Sequence, residues 1–158
     1  MSDWRLTEVV AKWFEEKEWE DRPEINEEEQ TSSTDFGLQL SEDFSVRCYF
    51  DTDEKRSFFK MYIYFLDAKV PAAKMPEVLK WINAVNYNNP VGCFHLIESE
   101  RHIRLYHGMD FEDASFETQH ISNIYKMMSD IMEYRLPQFM AICFGGKTAE
   151  EALEIKPE

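Results

Sequence analysis

Basic residues are scarce in this chain. Against 31 Asp and Glu there are only 17 Lys and Arg in 158 residues, a formal net charge of −14. Phosphate recognition depends on Lys and Arg displacing counterions, so this deficit argues against a nucleic-acid partner. The same field disfavours anionic lipid surfaces and polyanionic substrates, and leaves basic or apolar proteins as partners. Cysteine is sparse too. Cys48, Cys93 and Cys143 are odd in number and widely spaced, whereas a disulfide framework needs a denser, even set. Reduced, buried thiols in a cytoplasm are the expectation. No window approaches the roughly 18 consecutive apolar residues of a membrane helix. Met1 to Lys17 carries acidic residues where a signal peptide has a basic start and an unbroken apolar run. Neither a targeting segment nor a membrane span is expected.

What is present is a core. The composition is 44% hydrophobic and 15% aromatic, too apolar for a disordered chain despite the charge. With no internal repeat and no flexible linker, residues 1–158 read as a single domain. A domain of this size buries roughly 68–70% of its unfolded surface and needs no disulfide or metal staple.

Residues 3–17 carry Leu6, Val9, Val10, Trp13 and Phe14 at helical spacing, with Ser2 available as N-cap. The stretch Glu15 to Glu29 holds nine carboxylates and two basic residues. It reads as a solvated helix end, an irregular edge strand and a loop, outside the main strands. From Thr34 the period becomes two: Phe36, Leu38 and Leu40, then Phe44, Val46, Cys48 and Phe50, then Phe59, Met61, Ile63 and Phe65, with 51–57 as a polar turn. Pro71 and Pro76 open a second helix reaching Tyr87, striped by Met75, Val78, Leu79, Ile82 and Val85. Residues 91–98 and 101–108 form a hairpin around Ser99-Glu100, with Phe94 and Leu96 sharing a face with Ile103 and Leu105. A final helical region begins near Phe116, with Ile121, Ile124, Met128 and Ile131 inward. Pro137 must kink or break it. Gly145-Gly146 stops it, and Thr148 with Glu151 forms a capping box for a short helix at about 148–153. The fold class is therefore α+β: a five-stranded antiparallel sheet with helices packed on it, in the order α-βββ-α-ββ-α.

Motifs that carry chemistry are nearly absent. Ala141 to Thr148 satisfies a relaxed phosphate-loop pattern, but that loop joins a strand to a helix, and here it follows a helical segment. A helix stop and an N-cap account for it better. Cys93, His95 and His102 fall on one face of the hairpin, yet their spacing matches no short metal motif and no fourth ligand is implied. No nucleophile elbow, Cys-His signature or metalloprotease motif occurs. No catalytic, cofactor-binding or metal-binding residue is assigned.

The outward strand faces are more informative. Tyr49 and Arg47, then Phe58, Tyr62 and Tyr64, then Ile97, Arg104 and Tyr106, alternate with the inward sets. A sheet face rich in tyrosine and arginine has the composition of a protein interface. Met127 and Met132 lie off the main stripe of the last helix and join the candidate interface, because methionine adapts to irregular partner surfaces. The candidate interface is thus Tyr49, Phe58, Tyr62, Tyr64, Arg104, Tyr106, Met127 and Met132.

The C-terminal passage Tyr134-Arg-Leu-Pro137-Gln-Phe-Met-Ala-Ile-Cys-Phe-Gly145-Gly146-Lys-Thr-Ala-Glu150-Glu-Ala resembles the end of the YbjN-like family. The helix end Asn83-Ala-Val-Asn86, followed by Val91-Gly-Cys-Phe94, is similar to that family as well. The resemblance implies a fold like that of type III secretion chaperones, and a bacterial chaperone-like or sensory-transduction regulatory role without catalytic residues. The expected function is non-enzymatic: a cytoplasmic homodimer that binds another protein, basic or partly unfolded, with no nucleic acid, membrane or cofactor involved. The alternative is a regulatory domain that senses a small ligand held between sheet and helix.

Overall fold

The computed structural model describes residues 3–157. The chain runs α1 (Arg5–Glu16), β1 (Glu24–Asn26), β2 (Thr31–Gln39), β3 (Ser45–Asp53), β4 (Phe58–Phe65), a single 3-10 turn (Ala72–Lys74), α2 (Met75–Asn88), β5 (Cys93–Ile97), β6 (His102–Asp110), α3 (Thr118–Phe144) and α4 (Ala149–Leu153). The strands make one antiparallel sheet in the order β1-β2-β3-β4-β6-β5. It has six strands, not the five expected. The uncounted one, β1, is the irregular edge strand expected within Glu15 to Glu29; its three residues are all exposed and so show no alternation. Backbone pairing of Glu24, Ile25 and Asn26 with Ser33, Ser32 and Thr31 makes the strand.

The inward face follows the period-two pattern. Phe36, Cys48, Phe50, Phe59, Met61, Ile63, Phe94, Ile103 and Leu105 are buried there. The hairpin register is the expected one, with Phe94 opposite Leu105 and Leu96 opposite Ile103. Strand β3 outruns its expected end, because Thr52 continues the alternation and buries its side chain. The polar turn is correspondingly shorter.

All the helices lie on this inward face. Helix α1 drives Trp13 and Phe14 against Phe36 and Phe50, with ring centroids 5.2–6.5 Å apart. Ser2, its expected cap, lies outside the described residues, and Trp4 at the cap position makes no side-chain capping hydrogen bond. Glu54, from the β3–β4 turn, accepts instead from the backbone N–H groups of Leu6 and Thr7, both at 2.9 Å. A carboxylate at a helix N-terminus satisfies orphan donors and complements the macrodipole.

Three inward assignments differ from expectation. In α2 the buried set is Val78, Trp81, Ile82 and Val85, while Leu79 is 43% exposed. Trp81 is accommodated because its indole N–H reaches Gln138 Oε1 at 2.9 Å. In α3 the stripe runs Ile121, Ile124, Met128, Met132, Leu136, Phe139. Met132 is fully buried, one helical turn beyond Met128, and Ile131 is only half-buried. Pro137 does not break α3, which is continuous from Thr118 to Phe144. Its ring lies on the exposed side, where water can take the bond that its missing N–H forfeits.

The C-terminal signals read true. Gly146 adopts φ +68°, and at Gly145 a Cβ would come 2.9 Å from the Ala141 carbonyl oxygen. Thr148 and Glu151 form the capping box reciprocally, and α4 spans Ala149–Leu153.

Candidate polypeptide-binding face

Alternation that sends one set of side chains into the core sends the other outward, and among the described residues no helix packs on that side. The antiparallel registers align the outward residues into rows across the strands. One row runs Asp35, Tyr49, Tyr62, Tyr106, Cys93. The next runs Arg47, Tyr64, Arg104, His95. On the other side of the tyrosine row lie Glu24, Ser33, Asp51, Lys60 and Gly108, then Asn26, Thr31, Asp53, Phe58 and Asp110. The tyrosines and arginines therefore cluster at one end of the face, where Asp35 is paired with Arg47, and Glu24, Asp51, Asp53 and Asp110 lie at the other beside Lys60 and Phe58.

At the aromatic end, Tyr62 lies 5.2 Å from Tyr106, and Tyr49 lies 5.4 Å from Tyr64, between ring centroids. Arg104 sits over Tyr62 at 4.8 Å and over Tyr64 at 5.8 Å. Its Nη1 donates to the Tyr64 hydroxyl at 2.9 Å and its Nε to His95 Nδ1 at 3.0 Å. Arg104 is thus a rigid strut with its cation already engaged by two rings. Gly108 allows this packing, since a Cβ there would meet both the Tyr106 hydroxyl and the Phe58 ring at under 3 Å. Arg47 pairs with Asp35 at 2.6 Å, which raises the guanidinium pKa further, chiefly through that hydrogen bond. Tyr49, Tyr62, Tyr64 and Arg104 line, with Asp51, a shallow cavity of about 240 Å³. Burial, and then the Asp51 charge, push the Tyr62 phenol upward.

His95 and Cys93 are the reactive-looking pair on this face. Cys93 Sγ lies 3.3 Å from His95 Nε2. Burial raises the thiol and, with Arg104, lowers the imidazole. Each group is held in its neutral form, the reverse of a thiolate–imidazolium couple. His102 stands two residues further along, opposite Ile97, with its Nδ1 3.9 Å from Glu100. Among the described residues no group of three His, Cys, Asp or Glu is placed to hold a metal. Cys48 and Cys143 are buried free thiols, pushed up to about 12 and about 11 by burial, while Cys93 is half-buried.

The carboxylate end was missed from sequence, because 51–57 reads as a turn. Asp51 and Asp53 continue the outward set of β3 and, with Glu24, Ser33, Lys60 and neighbours, line a cavity of about 440 Å³. Burial raises the Asp51 carboxyl against the lowering effects of Ser33, whose hydroxyl donates at 2.6 Å, and of Lys60.

Six of the eight expected interface residues, Tyr49, Phe58, Tyr62, Tyr64, Arg104 and Tyr106, share this outward face, all half-buried. The two methionines do not. Met127 is 39% exposed on α3, on the far side of the sheet, and Met132 has no exposed surface. Other exposed apolar side chains are scattered at Ile25, Leu66, Leu79, Tyr87 and Phe144. No helix is long and apolar enough to cross a membrane among the described residues.

No protein-family model matches the chain, and no curated protein matches it. The YbjN-like resemblance therefore rests on the quoted residues alone. Solved structures do match. The structure of the HopA1-SchA chaperone-effector complex contains a chain that aligns with a TM-score of 0.56 at 12% identity, over 84% of this chain and 93% of that one. The crystal structure of the ExsC-ExsE complex contains another, with a TM-score of 0.54 at 11% identity, over 81% and 90%. At such identity the likeness is one of fold: α+β, an antiparallel sheet with helices packed on it.

Proposed function

We propose that this protein is a non-enzymatic, chaperone-like binder of another polypeptide, working in a bacterial cytoplasm through the outward face of its sheet. One observation carries the reading: an uncovered face paved by Tyr49, Tyr62, Tyr64 and Tyr106 around Arg104, with every helix on the opposite side. Tyrosine and arginine are the residues that dominate binding energy at protein interfaces. The fold shared with chains of two complexes, one of them described as chaperone-effector, supports the same reading. A homodimer is part of the proposal and would bury about 1,200–2,000 Å² or more. Light scattering that returns a monomer removes the dimer from it.

A photo-crosslinking amino acid at position 62, compared with one at Glu133 on α3, tests the binding role in the source cell. The reading expects a discrete polypeptide adduct from position 62 only. Equal adducts from both positions, or none from position 62, overturn it.

A further inference from the structure

We propose that the carboxylate end of the outward face receives a lysine- or arginine-bearing segment of the bound polypeptide, an inference that rests on the reading of that face as the binding surface. The face offers two adjoining cavities, about 440 Å³ and about 240 Å³, that share Asp51. A segment crossing from one to the other passes over this carboxylate. The larger cavity is lined by three carboxylates, Glu24, Asp51 and Asp53, against one cation, Lys60. Among the described residues neither Glu24 nor Asp51 forms an ion pair, and Asp53 has only the exposed Arg56 at 3.8 Å.

Position on the face decides where a cation goes. At the aromatic end the chain's own Arg104 already fills the ring faces of Tyr62 and Tyr64, so an incoming cation meets a like charge there. At the other end Asp51 is held partly out of water with one hydroxyl donor, Ser33. An arriving ammonium or guanidinium restores the stabilisation that this carboxylate lost on burial. Its aliphatic stem lies along the half-buried aromatic rows, as long basic side chains do. The acidic run from Glu15 to Glu29, nine carboxylates against two basic residues, includes β1 and adds a salt-sensitive attraction at longer range.

The test uses the whole protein and three fluorescein-labelled extended peptides of equal length and equal apolar content, carrying lysine, glutamine or glutamate at alternate positions. Anisotropy is read for the wild type, for E24Q/D51N/D53N, and for E133Q/E150Q/E154Q, which removes the same charge from the helix side. Thermal melts confirm that each variant folds, and D51N alone serves if the groove triple does not. The lysine peptide should bind tightest. The groove triple should weaken it by about tenfold, and the remote triple by no more than about twofold. Equal weakening by both triples, or equal affinity for the lysine and glutamine peptides, overturns the inference. If lysine and glutamine peptides bind alike and Tyr62→Ser abolishes both, the face still binds polypeptide and only the charge preference falls. If neither the groove variants nor Tyr62→Ser changes any binding, the reading of the face falls with it.

Discussion

Asn86 takes the place of a neighbouring strand at one edge of the sheet. From helix α2 its Oδ1 accepts from the Phe94 N–H at 2.7 Å, while its Nδ2 donates to the Phe94 carbonyl at 3.0 Å. Phe94 is the second residue of β5, the edge strand, and with these two bonds both of its outward backbone groups are already satisfied. The opposite edge, β1, is three residues long and begins with Glu24. Short, charged or covered edges are how sheets avoid pairing with other chains. With both edges blunted in this way, the broad outward face is the larger surface open to a partner.

Replacing Asn86 with alanine frees both backbone groups of Phe94 in a part-buried setting. The expected cost is about 1–3 kcal/mol, read as a lower urea midpoint with faster amide exchange at Phe94. Asn86→Asp should fall in the same direction, because a carboxylate accepts from the N–H but cannot donate to the carbonyl. Unchanged exchange at Phe94 would show that the side chain does not hold the edge.

Gln138 joins three parts of the helical layer. Its Oε1 accepts from Trp81 Nε1 at 2.9 Å and from Arg135 Nη1 at 3.1 Å, and its Nε2 donates to the Ile155 carbonyl at 2.9 Å. Gln138→Leu keeps the volume and strands a buried indole N–H, at a cost of about 1–3 kcal/mol. Trp81→Phe in the same background should recover part of that loss, since it removes the stranded donor. Denaturant titration of the four proteins checks the coupling, and strict additivity would refute it.

Stability should weaken on mild acidification through His95. Burial, and then the Arg104 charge, lower its pKa from the ordinary value, and Arg104 Nε–H occupies its Nδ1. The unfolded chain therefore binds the proton more readily than the folded one. This contribution is complete above about pH 6.5, the unfolded value, and is lost as pH falls through the folded pKa. His107, lowered by burial, acts in the same direction. His95→Gln should flatten the pH dependence of the urea midpoint without abolishing it. An NMR titration placing His95 at or above the ordinary histidine value contradicts this account.

Period-two runs were legible because their outcome depends only on which side of a strand is dry. Phe36, Cys48, Phe50, Phe59, Met61 and Ile63 went inward as expected. The tyrosines of the same strands therefore had to share the other face. The capping box of Thr148 and Glu151 was legible because both partners are local. Strand β1 was not counted because its three exposed residues bury nothing, and only backbone pairing defines it. Met132 was misplaced because an apolar side chain beside Ile131 fits either flank of a helical stripe, and packing chose the flank. Asp51 and Asp53 looked like turn residues by composition, although Thr52 between them points into the core. Recognising that alternation would have revealed the carboxylate end. The Glu54 cap on α1 joins residues 47 and 48 positions apart, a separation at which local sequence carries no signal.

The central claim is that the tyrosine-paved outward face holds the partner polypeptide. Its most direct test is the double variant Tyr62→Ser/Tyr106→Ser, purified from the source cell beside the wild type, with the co-eluting crosslink-identified partner quantified by mass spectrometry. Both positions lie on the face away from the core, and losing their cross-strand pair costs about 0.2–1 kcal/mol, so the variant should remain folded by circular dichroism. The account predicts a folded protein that has lost most of its partner. A folded double variant that retains the partner at the wild-type ratio would contradict it.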